Sequence, residues 1–399
     1  MQTLDQSNPQ LVKVIAEAIA NSPEQRITFA EYMERVLYDP QFGYYATNQV
    51  QIGPTGDFYT APHLGPDFGE LLAEQFVQMW QVMGQPAAFT LVEMGAGQGL
   101  AAADILTYLQ AKQPQFFAAL SYLIVEKAKG LVAEQQQRLR DWVSQGKVGW
   151  SALGELAIAP IVGCLFSNEL VDAFPVHRIT LRQGKLQEIY VHLGADASPD
   201  SPFQEVIADP STAQLNSYFE LNQIDITSAA YPDEYSTEVN LAALSWLEAV
   251  AKGLQRGYLL TIDYGYPASQ YYSPARSQGT LQCFCQHRSH ANPYLNIGQQ
   301  DITAHVNFTA LEQQGQQSGL EQIGFTQQGL FLMGLGLGDR LFANNTGAFS
   351  ADLAQVIQRR EALHQFMNPM RLGGFGVLVQ SKGLTPTEQA HPLRGLNPL

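Results

Sequence analysis

The chain has 399 residues, 45% hydrophobic and 10% aromatic, with 22 basic against 37 acidic side chains for a net charge of −15. Such length and apolar content suit one large domain with insertions, or two or three smaller domains, and exclude a disordered polymer. The charge disfavours phosphate backbones and is compatible with a basic peptide partner or with solubility alone, and no apolar run reaches the ~20 residues of a bilayer span.

Lys13 is the sole basic residue before Arg26. The start therefore lacks the zones of a secretory signal and the Arg-rich pattern of an organelle presequence, and a cytoplasmic protein is expected. Leu11, Val14, Ile15, Ala18 and Ile19 recur at helical spacing over 10–20. A second helix is expected from Thr28, where Glu31 completes a capping box and Phe29, Met33, Val36 and Leu37 form the buried stripe. Residues 39–62 are rich in Gly, Pro and aromatics and read as loop, and a helix follows at about 67–83.

From Phe89 short apolar runs alternate with helices, the sign of a parallel sheet with crossovers. The segment FTLVEMGAG from Phe89 reads as strand, tight turn and helix start, and further strands are expected at 121–126, near 148–151 and at 161–170, with helices at 101–110 and 128–142. Residues 176–194 read as a hairpin turning at Gln183-Gly184, and 195–235 as a polar insertion. A helix at 238–254 and a strand at 257–265 follow, then 266–300 without clear periodicity. The remaining expectations are a helix at 308–319, a strand near 325–332, a loop at 333–339, a helix near 350–366, a last strand Phe375–Gln380 and a flexible tail, 384–399.

The run Glu93-Met94-Gly95-Ala96-Gly97-Gln98-Gly99-Leu100 lies between a strand and a helix, where glycines allow a sharp turn and close approach to a ligand. Leu100 occupies the last glycine position of the nicotinamide fingerprint. Glu93 is more decisive, because a carboxylate repels a pyrophosphate there but attracts the sulfonium and ammonium of S-adenosylmethionine. At ~4 Å and an effective dielectric near 20, such a pair is worth about 4 kcal/mol before desolvation. Gly95, Gly97 and Gly99 are thus expected to cradle that donor. Glu126, ending the next strand, is expected at the ribose hydroxyls, and capping the following helix is its structural alternative. Asn168 and Glu169 fall at the carboxyl end of the fourth expected strand, near the transferable methyl, with Asp172 one short turn further; capping the helix or turn before Pro175 is their structural alternative. Asp263 is a further candidate on the acceptor side, or a cap for its own loop.

These segments together resemble the MidA family of complex I assembly arginine methyltransferases and their bacterial relatives, over about 26–382. The blocks that carry the resemblance are 27–33 (ITFAEYM), 43–45 (GYY), 56–62 (GDFYTAP), 93–99, 168–176 (NELVDAFPV), 262–265 (IDYG) and 301–306 (DITAHV). Ala96, Gln98 and Leu100 stand where the family commonly has Pro, Arg and Thr, and Asn307 where Asp is usual. The resemblance implies an α/β fold with a seven-stranded, Rossmann-like class I sheet and S-adenosylmethionine as donor. It also implies symmetric dimethylation of an arginine in a respiratory complex I-type subunit, or a non-catalytic assembly factor on the same fold. It brings Asp57 and Thr60 near the cofactor; the strand-end placement of Glu169 and Asp172, together with the family block that contains them, makes these two the expected arginine clamp.

The expected organisation is a helical, cofactor-covering region at 1–87, a methyltransferase core at 88–383 with insertions near 177–236 and 266–320, and the tail. A homodimer is compatible with this reading. Cys283, Cys285, His287 and His290 are spaced too tightly for the usual zinc pairs, so no metal is expected.

Overall fold

The computed structural model describes residues 6–46, 60–198, 201–285, 288–346 and 353–397. Seven strands form the central sheet: β1 (Phe89–Met94), β2 (Leu120–Val125), β3 (Val148–Trp150), β4 (Ile161–Asn168), β5 (Leu254–Asp263), β6 (Glu321–Gln327) and β7 (Gly376–Lys382). Their order is β3-β2-β1-β4-β5-β7-β6. The first five are mutually parallel, whereas β7 inserts antiparallel between β5 and β6.

The inner strands carry apolar side chains on both faces because helices cover both. On one face α1 (Asp67–Val82) and α2 (Leu100–Lys112) join a core containing Leu71, Phe76, Ile105 and Phe166. On the other, the helices Leu241–Gly253 and Phe308–Gln317 pack with Leu165, Leu247, Leu259 and Leu378. Among the described residues no helix is long and apolar enough to cross a membrane.

The amino-terminal helices are Pro9–Asn21 and Phe29–Tyr38, the second opened by the Thr28–Glu31 capping box. Residues 177–239 build a separate antiparallel sheet, joined at its edge by Arg26–Thr28. Its hairpin turns where read, with φ of 51° at Gln183 and 71° at Gly184, the positive pair of a two-residue type I′ turn. The stretch 195–235 is more ordered than its polarity suggests, and contains the strand Ser201–Ala208 and the helix Gln214–Leu221.

Four other expectations need correction. The strand near 325–332 ends at Gln327; helix Gln328–Gly334 follows, its Phe331 and Leu332 buried, and Leu337–Thr346 makes the expected loop helical too. The helix at 128–142 breaks at Leu139 into α3 (Lys129–Arg138) and the short turn Arg140–Ser144. The tail is docked rather than flexible through residue 397. Leu393 is buried in the core and the Gly395 amide donates to Gln75 Oε1 at 3.1 Å.

Candidate active site

The carboxyl ends of β1, β2, β4 and β5 open into one cavity of about 880 Å³. Its cofactor side is built on the loop after β1, where Gly95, Gly97 and Gly99 have φ of 71°, 50° and 75°. A Cβ at Gly95 would lie 2.7 Å from Leu170 Cδ1, a clash that the leucine can turn away from, so it is the backbone conformation that demands glycine.

Glu93 lines this cavity while almost wholly buried, and its Oε2 accepts from Tyr122 Oη at 2.6 Å. Burial pushes its carboxyl up to about 7; the Tyr122 bond opposes that and the charge of Glu126 adds to it. Glu126 stands one residue beyond β2 and is half-buried. Its Oε1 accepts from the Ala128 amide at 3.0 Å and its Oε2 from Gln135 Nε2 at 3.2 Å. Ala128 is the N-cap of the next helix and has no side-chain cap, so Glu126 lines the pocket and braces the loop before that helix without capping it. Burial holds its pKa above the usual range.

Thr60 begins a short turn, Ala61–Leu64, laid against the glycine loop. His63 bonds Thr60 Oγ1 through Nδ1 (2.9 Å) and Gln98 Oε1 through Nε2 (3.1 Å). Asp57, also expected at the cofactor, lies outside the described residues.

On the acceptor side, Asn168 ends β4 and donates to Glu169 Oε1 at 3.1 Å, which also accepts from the Ala61 amide at 3.3 Å. Glu169 has φ of 51°, a strained value for a glutamate and one that is concentrated at functional sites. Burial, with the charge of Asp172, pushes its carboxyl up to about 8. Asp172 is buried, and Tyr264 Oη donates to its Oδ2 at 2.6 Å. Its Oδ1 is enclosed without a hydrogen bond of normal geometry among the described residues. Burial also raises this carboxyl, to about 6.

Asp263 does not belong to the acceptor side. Its fully buried carboxylate accepts from the amides of Leu170, Val171 and Asp172 at 3.2, 2.9 and 3.3 Å, and from Tyr264 N at 2.9 Å. It anchors the turn that carries Asp172, and leaves the cavity to its neighbour Tyr264. Asp263→Ala would strand four enclosed amides, and we expect a loss of about 3 kcal/mol or more in urea unfolding. An unchanged midpoint would remove this anchoring role.

The sequence reading missed several cavity-lining residues. Tyr38 stacks on Tyr45 (centroids 5.4 Å, 21°) and Tyr266 on His305 (5.2 Å, 9°). Tyr45 Oη donates to Asp301 Oδ1 at 2.9 Å. Tyr45, Asp301 and His305 all fall in the blocks quoted above, but nothing in those blocks said which side chains converge. Of the Cys/His run, Cys283 pairs with His290 across two short strands, and His287 lies outside the described residues.

A β3-β2-β1-β4-β5-β7-β6 sheet, with a glycine turn after β1 and an acid after β2, defines a class I S-adenosylmethionine-dependent methyltransferase. Residues 71–326 match the family model described as "Putative S-adenosyl-L-methionine-dependent methyltransferase". The chain belongs to this family, Methyltransf_28, that of the MidA proteins. A COG1565 superfamily member of Burkholderia thailandensis, solved with S-adenosyl-homocysteine bound, is similar throughout. Its TM-score is 0.83 at 30% identity, with 97% of this chain and 94% of that one covered. The "Protein arginine methyltransferase NDUFAF7 homolog, mitochondrial" of Drosophila melanogaster is 30% identical, over 77% of this chain and 70% of its own length. Human "Protein arginine methyltransferase NDUFAF7, mitochondrial" is 27% identical, over 87% and 78%. S-adenosylmethionine is accordingly the methyl donor, and the glycine turn, Glu93 and Glu126 line one cavity.

Proposed function

We propose that this methyltransferase acts on arginine in a protein substrate, a respiratory complex I-type subunit being the leading candidate, and produces symmetric dimethylarginine. The observation that carries this reading is the cavity that Glu169 and Asp172 line together with the stacked pair Tyr38 and Tyr45. A planar cation is suited to carboxylates at its edge and aromatic rings on its faces. Burial, helped by Arg276, lowers the His305 pKa to about 4, so the cation already seated beside the Tyr266–His305 pair is Arg276, 4.1 Å over the Tyr266 ring. The names of the NDUFAF7 relatives point the same way.

When bound, the donor supplies a methyl group activated by its sulfonium. The protein's share is alignment and proton management. Guanidinium is cationic at physiological pH and a poor nucleophile, so its charge must be drawn away from the attacking nitrogen and a proton removed as the bond forms. Tyr264 orients Asp172, the more acidic of the two, as the ionised clamp. Glu169, whose pKa is pushed to about 8, is ionised when the cationic substrate draws that pKa down, and it then serves as the proton acceptor.

The test is incubation of the protein and labelled donor with a lysate of its own source, followed by acid hydrolysis. Label in ω-methylarginine supports the reading, and label on lysine or a carboxylate overturns it. Donor binding with no transfer would favour the alternative, a non-catalytic assembly factor.

A further inference from the structure

Helix α3 presents a mostly polar sequence, and its single buried side chain is not an apolar one but Gln135, with no exposed surface. A buried primary amide is retained only where its hydrogen bonds are met. Here Nε2 donates to the Gly97 carbonyl at 2.7 Å and to Glu126 Oε2 at 3.2 Å, while Oε1 accepts from Trp150 Nε1 at 2.8 Å. One amide thus ties together the chain beyond β1, the acid beyond β2 and the last residue of β3. The approach is close enough that a Cβ at Gly99 would lie 3.4 Å from Gln135 Cγ.

We infer that Gln135 is a positioning residue for the donor, setting the glycine loop and Glu126 in one mutual arrangement. The peptide plane supplies the lever. With the Gly97 carbonyl held toward Gln135, the trans amide N–H of Gln98 faces the opposite way, on a residue that lines the cavity. The second donor hydrogen fixes the rotation of the Glu126 carboxylate, whose other oxygen is held by Ala128. Trp150 sets which way the Gln135 amide is turned, because an indole N–H tolerates only its oxygen.

The inference rests on the donor assignment, so calorimetric binding of S-adenosylhomocysteine by the wild-type protein is the reference. Gln135→Leu keeps the volume and removes both donations. It is expected to raise the Kd about 30-fold, the equivalent of two hydrogen bonds at about 1 kcal/mol each. Combined with Glu126→Ala, its effect should fall at least fivefold short of the product of the two single effects, a coupling that a merely structural residue would not show. Trp150→Phe, which leaves Gln135 in place, should weaken binding about fivefold, and it serves as the test should Gln135→Leu not fold. A Kd within twofold of wild type in either folded variant, or effects of Gln135→Leu and Glu126→Ala that simply multiply, would overturn the inference. Failure of the wild-type protein to bind would instead count against the donor assignment.

Discussion

Glu169→Gln is expected to reduce methyl transfer by about 10³-fold, within the range for losing a positioned proton acceptor, and to leave the Kd for S-adenosylhomocysteine within about threefold. The amide keeps the side chain's shape and can still accept from Ala61 and Asn168, but it has neither the negative charge nor the basicity a guanidinium requires. The same variant carries a stability signature. Burial and Asp172 raise the Glu169 pKa in the folded state from 4.5 to about 8. The folded protein therefore holds this proton more tightly than the unfolded chain does. The associated stability is full below about 4.5 and is lost as pH rises toward 8. Glutamine has no proton to lose, so at pH 8 the variant should be more stable by about 1–3 kcal/mol. Loss of turnover with gain of melting temperature is the pattern of a functional group held against its own solvation. Retained activity would remove Glu169 from the chemistry.

Glu93→Gln is expected to weaken S-adenosylmethionine binding by about 100-fold, roughly 2–3 kcal/mol of the electrostatic attraction after desolvation. Comparison with S-adenosylhomocysteine, which keeps the ammonium but lacks the sulfonium, identifies the charge that Glu93 meets. Equal losses mean the ammonium, and a larger loss for the donor means the sulfonium. Proton linkage gives a second readout. With its carboxyl raised to about 7, Glu93 is partly protonated near neutrality, and a cationic ligand draws its pKa down. Affinity should therefore rise with pH through about 7 and then level off, with protons released on binding at lower pH. Calorimetry in buffers of different ionisation enthalpy measures that release. In Glu93→Gln this component should vanish, and an unaltered pH profile would exclude position 93 as its source.

The sheet and the donor turn were legible because each is a local pattern. Apolar runs bounded by turns marked the strands, and glycines with an acid before them marked the loop. Glu169 and Asp172 followed from their position at a strand end. What stayed hidden depends on contacts across long sequence distances. Asp263 ends its strand as a catalytic acid would, and only the amides of Leu170 to Asp172 reveal it as an anchor. Gln135 sits in a polar stretch of helix where glutamine is unremarkable, and its meaning comes from Gly97, Glu126 and Trp150. The tail looked flexible because two buried leucines, Leu384 and Leu393, stand too far apart among polar residues to leave a periodicity to read.

The insertion of β7 between β5 and β6 has a consequence for how the protein is made. A ribosome delivers β6 long before the strand that joins it to the rest, so the nascent chain presents β5 with one flank open until residues 376–382 emerge. Exposed strand flanks are templates for wrong pairing, and the interval before closure is when this protein most needs shielding by chaperones. Maturation is governed from the carboxyl terminus, although the donor turn is among the first parts of the sheet to be synthesised.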